Sequence, residues 1–199
     1  ITVNSYILHN FRPKLTFVAW RELFNFSKWL MINNLFYYLN SRSPEMIIGK
    51  IVSPQAAGFF TIAQEISTMP TTELASNVNR ATYPGYSRIS HDPQLLKDMY
   101  LTVMAAISLL VVPAGVGLAA ISGVLVPVVL GSQWLESIVL VQYLAIGGTL
   151  MAVNSNTGYV FLAMGLPKIS SIMGLLRIVV FLPTLLWLSF EMGLEGAAL

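Results

Sequence analysis

The chain has 199 residues, of which 55% are hydrophobic and only 10% charged, with a formal net charge of +2. A soluble domain is roughly 25% charged, so the deficit points to lipid. So small a balance, with basic residues scattered along the chain, gives no footprint for nucleic acid, and the absence of cysteine removes disulfides and thiolate metal sites.

The chain opens at Ile1 with no basic n-region or small-residue cleavage site, and closes on Gly196-Ala197-Ala198-Leu199. Both ends are read as interruptions of a longer protein. Residues 1–22 read as the end of a preceding helix followed by a polar linker with Arg12, Pro13, Lys14 and Arg21. A first full span is predicted at about 23–52, bending near Pro44 and stopped by Ser53-Pro54, where proline ends the donor ladder. A second span, about 55–83, carries Pro70. From Pro84-Gly85 a polar connection runs through Arg88, His91, Asp92, Pro93, Lys97 and Asp98, and a short interfacial helix is expected in it. A third span is predicted at about 99–124, with a bend near Pro113, followed by a short apolar re-entry over 127–131. A fourth covers about 134–164, Gly165-Leu166-Pro167 is a tight turn, a fifth covers about 169–190, and another helix is expected from about 195.

The predicted fold class is therefore an all-α integral membrane, polytopic helical bundle, with residues 23–199 as one transmembrane lobe. Two observations carry it. No Lys, Arg, His, Asp or Glu occurs between Asp98 and Glu136, nor between Glu136 and Lys168, while about 20 residues of helix cross a ~30 Å hydrocarbon layer. No segment alternates apolar and polar residues over a strand length.

Charge asymmetry sets an expected orientation. Arg12, Lys14 and Arg21 precede the first span, Arg88 and Lys97 follow the second with Arg80 close by, and Lys168 follows the fourth. These are alternate loops, cytoplasmic by the positive-inside rule, which puts Glu191 and Glu195 outside.

Polar residues inside spans carry the functional information, because an ionisable group at a helix centre costs at least ~2.5 kcal/mol unless paired or wetted. On the first span Asn34, Tyr38, Ser41, Arg42 and Glu45 fall in one stripe, with Arg42 and Glu45 three apart and able to pair. That pair either fixes helix packing or lines a solvated cavity. On the second span Thr61, Glu65, Thr68, Thr72, Ser76, Asn79 and Arg80 repeat the pattern. Glu65 has no partner on its own helix, so it either meets a cation on a neighbour or takes up a proton. Arg80 and Lys28 stand near span ends, where snorkelling competes with substrate contact. Arg177 is nine residues from Lys168, about 13 Å of helix rise, too deep for easy snorkelling. Gln142, Thr149 and Asn156, seven apart, read foremost as interhelical hydrogen bonding.

Enzyme chemistry finds little framework. His9 and His91 stand in separate loops without a carboxylate at ligand spacing, and there is no phosphate-binding glycine loop or nucleophile elbow. No catalytic residue, metal site or cofactor is expected. Helices interrupted by proline, with polar stripes, suit a transport pathway, since freed backbone groups are tolerated where they line a cavity.

The run Asn40-Ser41-Arg42-Ser43-Pro44-Glu45-Met46-Ile47-Ile48-Gly49-Lys50, followed by Ala57-Gly58-Phe59-Phe60-Thr61-Ile62-Ala63, resembles the helix-pair signature of oligosaccharide flippases of the multidrug/oligosaccharidyl-lipid/polysaccharide (MOP) transporter superfamily. Pro70-Thr71-Thr72-Glu73-Leu74, Asn79 to Pro84, Val129 to Trp134 and Ala163 to Pro167 agree with the colanic-acid and exopolysaccharide exporter branch. Where that pattern often has Asp shortly after the Arg, Glu45 stands here. The resemblance implies two helical lobes around a cavity, a bacterial cytoplasmic membrane, and a polyprenyl-pyrophosphate-linked oligosaccharide moved from inner to outer leaflet by alternating access. For such a substrate Arg42, Arg80 and Arg177 are the candidate anion contacts, Asn34, Tyr38 and Asn79 the candidate partners of sugar hydroxyls, and Glu65 and Glu45 the candidates for H+ or Na+ coupling or for holding the arginines. Membrane lipids and other polysaccharide-assembly proteins are the implied partners. A multidrug or small-molecule exporter of the same superfamily is the rival reading.

Overall fold

The computed structural model describes residues 20–198. Among them the chain forms α1 (Trp20–Ile51), α2 (Pro54–Ile89), α3 (Pro93–Val129), a 3-10 turn (Ser132–Trp134), α4 (Ser137–Ala163) and α5 (Pro167–Gly196), with no strand. The expectations for residues 1–19, a preceding helix end and a linker, lie outside the described residues.

Three helices begin with proline in the first turn, where its missing N–H is no loss. Ser53 caps α2, accepting from the Ala56 N–H at 3.0 Å ahead of Pro54. Asp92 caps α3, accepting from the Gln94 and Leu95 N–H groups at 3.0 and 3.1 Å ahead of Pro93. Pro167 opens α5 after Gly165, whose φ of 70° is a turn conformation that suits glycine.

The interfacial helix expected between Pro84 and Asp98 is not a separate element. α2 runs through Pro84 to Ile89, and α3 begins at Pro93. Asp92-Pro93 is a cap followed by a first-turn proline, so it starts a helix where a loop was expected. α3 has 37 residues, about 55 Å at 1.5 Å per residue, so it outruns the ~30 Å hydrocarbon layer and its polar first turns take the interfacial place. The apolar re-entry expected over 127–131 is likewise the last turn of α3, which passes Pro127 and ends before Gly131, φ 95°. The expected start of a further helix near residue 195 corresponds to a backbone break at Gly193 (φ 64°, ψ −130°) within α5.

α3, α4 and α5 are each long and apolar enough to cross a membrane. α1 and α2, at 32 and 36 residues, have the length but are more polar. The chain is thus a multi-pass membrane segment, all-helical over the described residues.

α2, α3 and α4 pack mutually as a bundle; α1 pairs chiefly with α5, and joins the bundle through α2. One apolar cluster, with Ile48, Phe60, Val126, Leu140, Val141 and Leu185, sits at the end holding the α1–α2 and α3–α4 connections. A second, with Tyr86, Leu96, Val103, Ile107 and Val111, sits towards the α2–α3 connection. Between them the helices meet through small and hydroxyl side chains. Buried Ala63, Ser67, Thr71, Ala75 and Asn79 recur every fourth residue down α2, and the Ser67 hydroxyl donates to the Val141 carbonyl on α4 at 3.2 Å. A Cβ on Gly148 would come to 3.0 Å from Thr68 Cγ2, and one on Gly115 of α3 would collide with the Thr149 hydroxyl. Lipid tails are as apolar as leucine, so close backbone approach through small residues supplies the packing that holds such helices together.

Candidate functional site: two polar helix faces

On α1, Asn34, Tyr38 and Arg42 are exposed and Glu45 is half-buried. At 100° per residue they share one face, one above another over three turns. Arg42 Nη1 donates to Glu45 Oε2 at 3.2 Å, with 58% and 42% of the two side chains exposed. The adjoining side of the helix holds Pro44 and Ile48, both buried. The local cause is the pattern itself: polar residues at 34, 38, 41, 42 and 45 sit between apolar or packed residues on the α5 and α2 sides.

On α2, Glu65, Thr72, Glu73 and Arg80 are exposed and Ser76 half-buried, again on one face. Thr68 and Thr72 hydroxyls donate back to the Gln64 and Thr68 carbonyls at 2.7 Å, so these side chains are satisfied by their own helix beside Pro70. Glu73, two helical turns before Arg80, belongs to this face and was not singled out from the sequence; its eight-residue spacing from Glu65 was the available signal.

The remaining candidates are placed differently. Asn79 is fully buried and turned towards α4, its Nδ2 donating to Ser155 Oγ at 2.8 Å, while its Oδ1 is buried without a partner. Next to it, Arg80 is exposed, so the two neighbours face different surroundings. Arg177 is exposed on α5 among exposed Met173, Leu176 and Val180. The ion pair found among the described residues is Arg42–Glu45, which leaves Arg80, Arg177 and Glu65 without an opposite charge at pairing distance there. No three His, Asp or Glu side chains gather as a metal site among the described residues.

A second polar set, largely missed from sequence, is internal. Ser155, Asn156 and Thr157 are consecutive on α4. Ser155 meets Asn79, Asn156 Nδ2 donates to the buried Tyr86 hydroxyl at 3.0 Å, and Thr157 lies 3.1 Å from the Tyr100 hydroxyl. This run therefore ties α4 to α2 and α3. Of the stripe read as interhelical bonding, Asn156 makes such a bond, whereas Thr149 bonds the Ala145 carbonyl of its own helix at 2.6 Å.

A bundle whose most apolar helices are α3, α4 and α5, flanked by two long helices that expose charged faces, is the build of a polytopic membrane protein. The chain belongs to the polysaccharide biosynthesis protein family, whose model matches residues 1–139. It is 24% identical over 160 residues to the lipopolysaccharide biosynthesis protein WzxC of Escherichia coli, covering 80% of this chain and 32% of that protein. It is 25% identical over 188 residues to a membrane protein of the cps region of Klebsiella pneumoniae, covering 94% and 38%. To the teichuronic acid biosynthesis protein TuaB of Bacillus subtilis it is 24% identical over 145 residues, covering 73% and 30%. The chain thus spans about a third of the length of these curated relatives. No solved structure matches it. With its apolar spans and these bacterial relatives, it is a multi-pass segment of a bacterial cytoplasmic membrane.

Proposed function

We propose that this chain is part of a transporter that moves polyprenyl-pyrophosphate-linked oligosaccharide repeat units from the inner to the outer leaflet by alternating access, for exopolysaccharide, capsule or O-antigen assembly. The observation that carries the reading is the pair of exposed polar faces on α1 and α2, helices long enough to span yet bearing Arg42, Glu45, Glu65 and Arg80. Such a face is unfavourable against hydrocarbon, and it is accommodated where helices enclose a wetted cavity. A pyrophosphate-sugar headgroup needs that cavity, since its hydration must be replaced during passage while the prenyl tail stays in lipid. Two of the relatives are named for lipopolysaccharide and teichuronic acid biosynthesis, which supports the same cargo class.

In this reading Arg42 and Arg80 meet the pyrophosphate through the planar fork that suits bidentate phosphate recognition, and Arg177 adds a cation at depth on α5. Asn34 and Tyr38 bond sugar hydroxyls. Asn79 enters the pathway only when α2 and α4 separate enough to release it from Ser155. Glu65, without a cation partner among the described residues, couples transport to H+ or Na+, and Glu45 holds Arg42.

The test is export at matched protein level, read as surface polysaccharide. Arg42→Ala should stop export while insertion and abundance stay near normal, and Arg42→Lys should rescue only partly. A paired Arg42→Met and Glu45→Leu change removes both charges and leaves no unpaired ion. Full export by that double variant would overturn the cavity role of Arg42.

A further inference from the structure

At the end of the bundle carrying Arg88, Lys97 and Lys168, a cleft of about 400 Å³ opens between α3 and α4, within the ~300–1,000 Å³ of small-molecule sites. Its walls are apolar, formed by Leu96, Val160, Phe161 and Met164, with Pro93 and Ser90 at one edge. Three residues with polar side chains also line it, Lys97, Tyr100 and Thr157, with the Tyr100 and Thr157 hydroxyls 3.1 Å apart across the helix seam.

The stretch beside it carries the cations Arg88 and Lys97 and the carboxylates Asp92 and Asp98, both of which have other partners. Asp92 is engaged in capping α3 through Gln94 and Leu95, and Asp98 accepts from the Gln94 side-chain amide at 3.2 Å. Lys97 and Arg88 have no carboxylate at pairing distance among the described residues. Lys97 is exposed, on the first turns of α3 just before the charge-free stretch that follows Asp98, at the end that the positive-inside rule makes cytoplasmic. Apolar walls below a free cation, between two membrane helices, are complementary to an anionic amphiphile.

We propose that this cleft holds an anionic phospholipid, with the phosphodiester at Lys97, within reach of the Tyr100 and Thr157 hydroxyls, and an acyl chain along Leu96, Val160, Phe161 and Met164. The site lies between α3 and α4, apart from the polar faces of α1 and α2, and does not rest on the transport reading.

The full-length protein, delipidated in detergent, would be titrated with phosphatidylglycerol or phosphatidylcholine and observed by native mass spectrometry. Phosphatidylglycerol should be retained in preference. Lys97→Gln should weaken its retention about fivefold, the scale of one basic side chain at an anionic surface. Lys97→Arg should keep it, and Lys50→Gln, at the opposite end, should change nothing. Val160→Trp, which fills the cleft, should abolish preferential retention in protein that remains monodisperse. Equal retention of phosphatidylcholine, or an unaltered Lys97→Gln, would overturn the proposal. So would displacement by inorganic phosphate alone, which would mark a soluble-anion site, or stronger retention of undecaprenyl phosphate, which would mark a carrier-lipid site.

Discussion

α4 and α1 contain the same kinds of polar residue and use them in opposite ways. On α4, Ser155, Asn156 and Thr157 bond Asn79, Tyr86 and Tyr100 of the neighbouring helices. On α1, Asn34, Tyr38 and Arg42 point to a face that no other described helix covers. An asparagine in a span is therefore not by itself a sign of a pathway. What separates the two uses is whether another helix brings a complementary group within reach, and whether the residue shares its stripe with charge.

The sharpest way to break this division is at the α3–α4 seam, where a Cβ on Gly115 meets Thr149. Gly115→Leu is predicted to cost at least the ~1–3 kcal/mol typical of overpacking, seen as a several-fold fall in membrane abundance and a lower melting temperature in detergent. An unchanged melting temperature would mean the helices do not approach so closely. Asn156→Ala should have the next largest effect, because it leaves the buried Tyr86 hydroxyl without its partner. A loss of ~0.6–2 kcal/mol fits interhelical bonds in membranes, and a thermal melt of the purified protein would show it, with export falling only in proportion to abundance. Glu65→Gln should sit at the small end for stability, within ~0.5 kcal/mol as for an exposed substitution. Its expected signature is instead loss of the dependence of export on an ion gradient. A normal gradient response would remove Glu65 from coupling, and a large stability loss would move it into the packing class with Asn156.

Much of the helical plan was legible because charge is absent over long stretches. The gap from Asp98 to Glu136 encloses most of α3, and that from Glu136 to Lys168 encloses α4. Ends were less legible where proline was taken as a stop. Pro84 and Pro127 lie inside helices, and Pro93 opens one; one missing donor is tolerated when the surrounding ladder and side-chain hydroxyls hold the turn. The Arg42–Glu45 contact was legible because it depends only on spacing along one helix. The place of Asn79 was not, since it depends on Ser155, 76 residues away. The α1–α5 pairing was illegible for the same reason. It rests on Asn33 Nδ2 donating to Ser170 Oγ at 3.0 Å and Ser171 Oγ donating to the Trp29 carbonyl at 2.9 Å, with Phe36 against Gly174, and no periodicity names a partner.

That pairing joins the first described helix to the last, and it has a consequence in time. At ~5–20 residues per second, the ~115 residues separating the end of α1 from the start of α5 take on the order of ten seconds to synthesise. Throughout that interval Trp29, Asn33 and Phe36 have no α5 to meet, and α1 is anchored to the growing bundle only through α2. A helix with a polar open face is thus the one that waits longest for its mate. Its survival at the insertion machinery depends on how quickly α2 docks against it at Ile48 and Ala57.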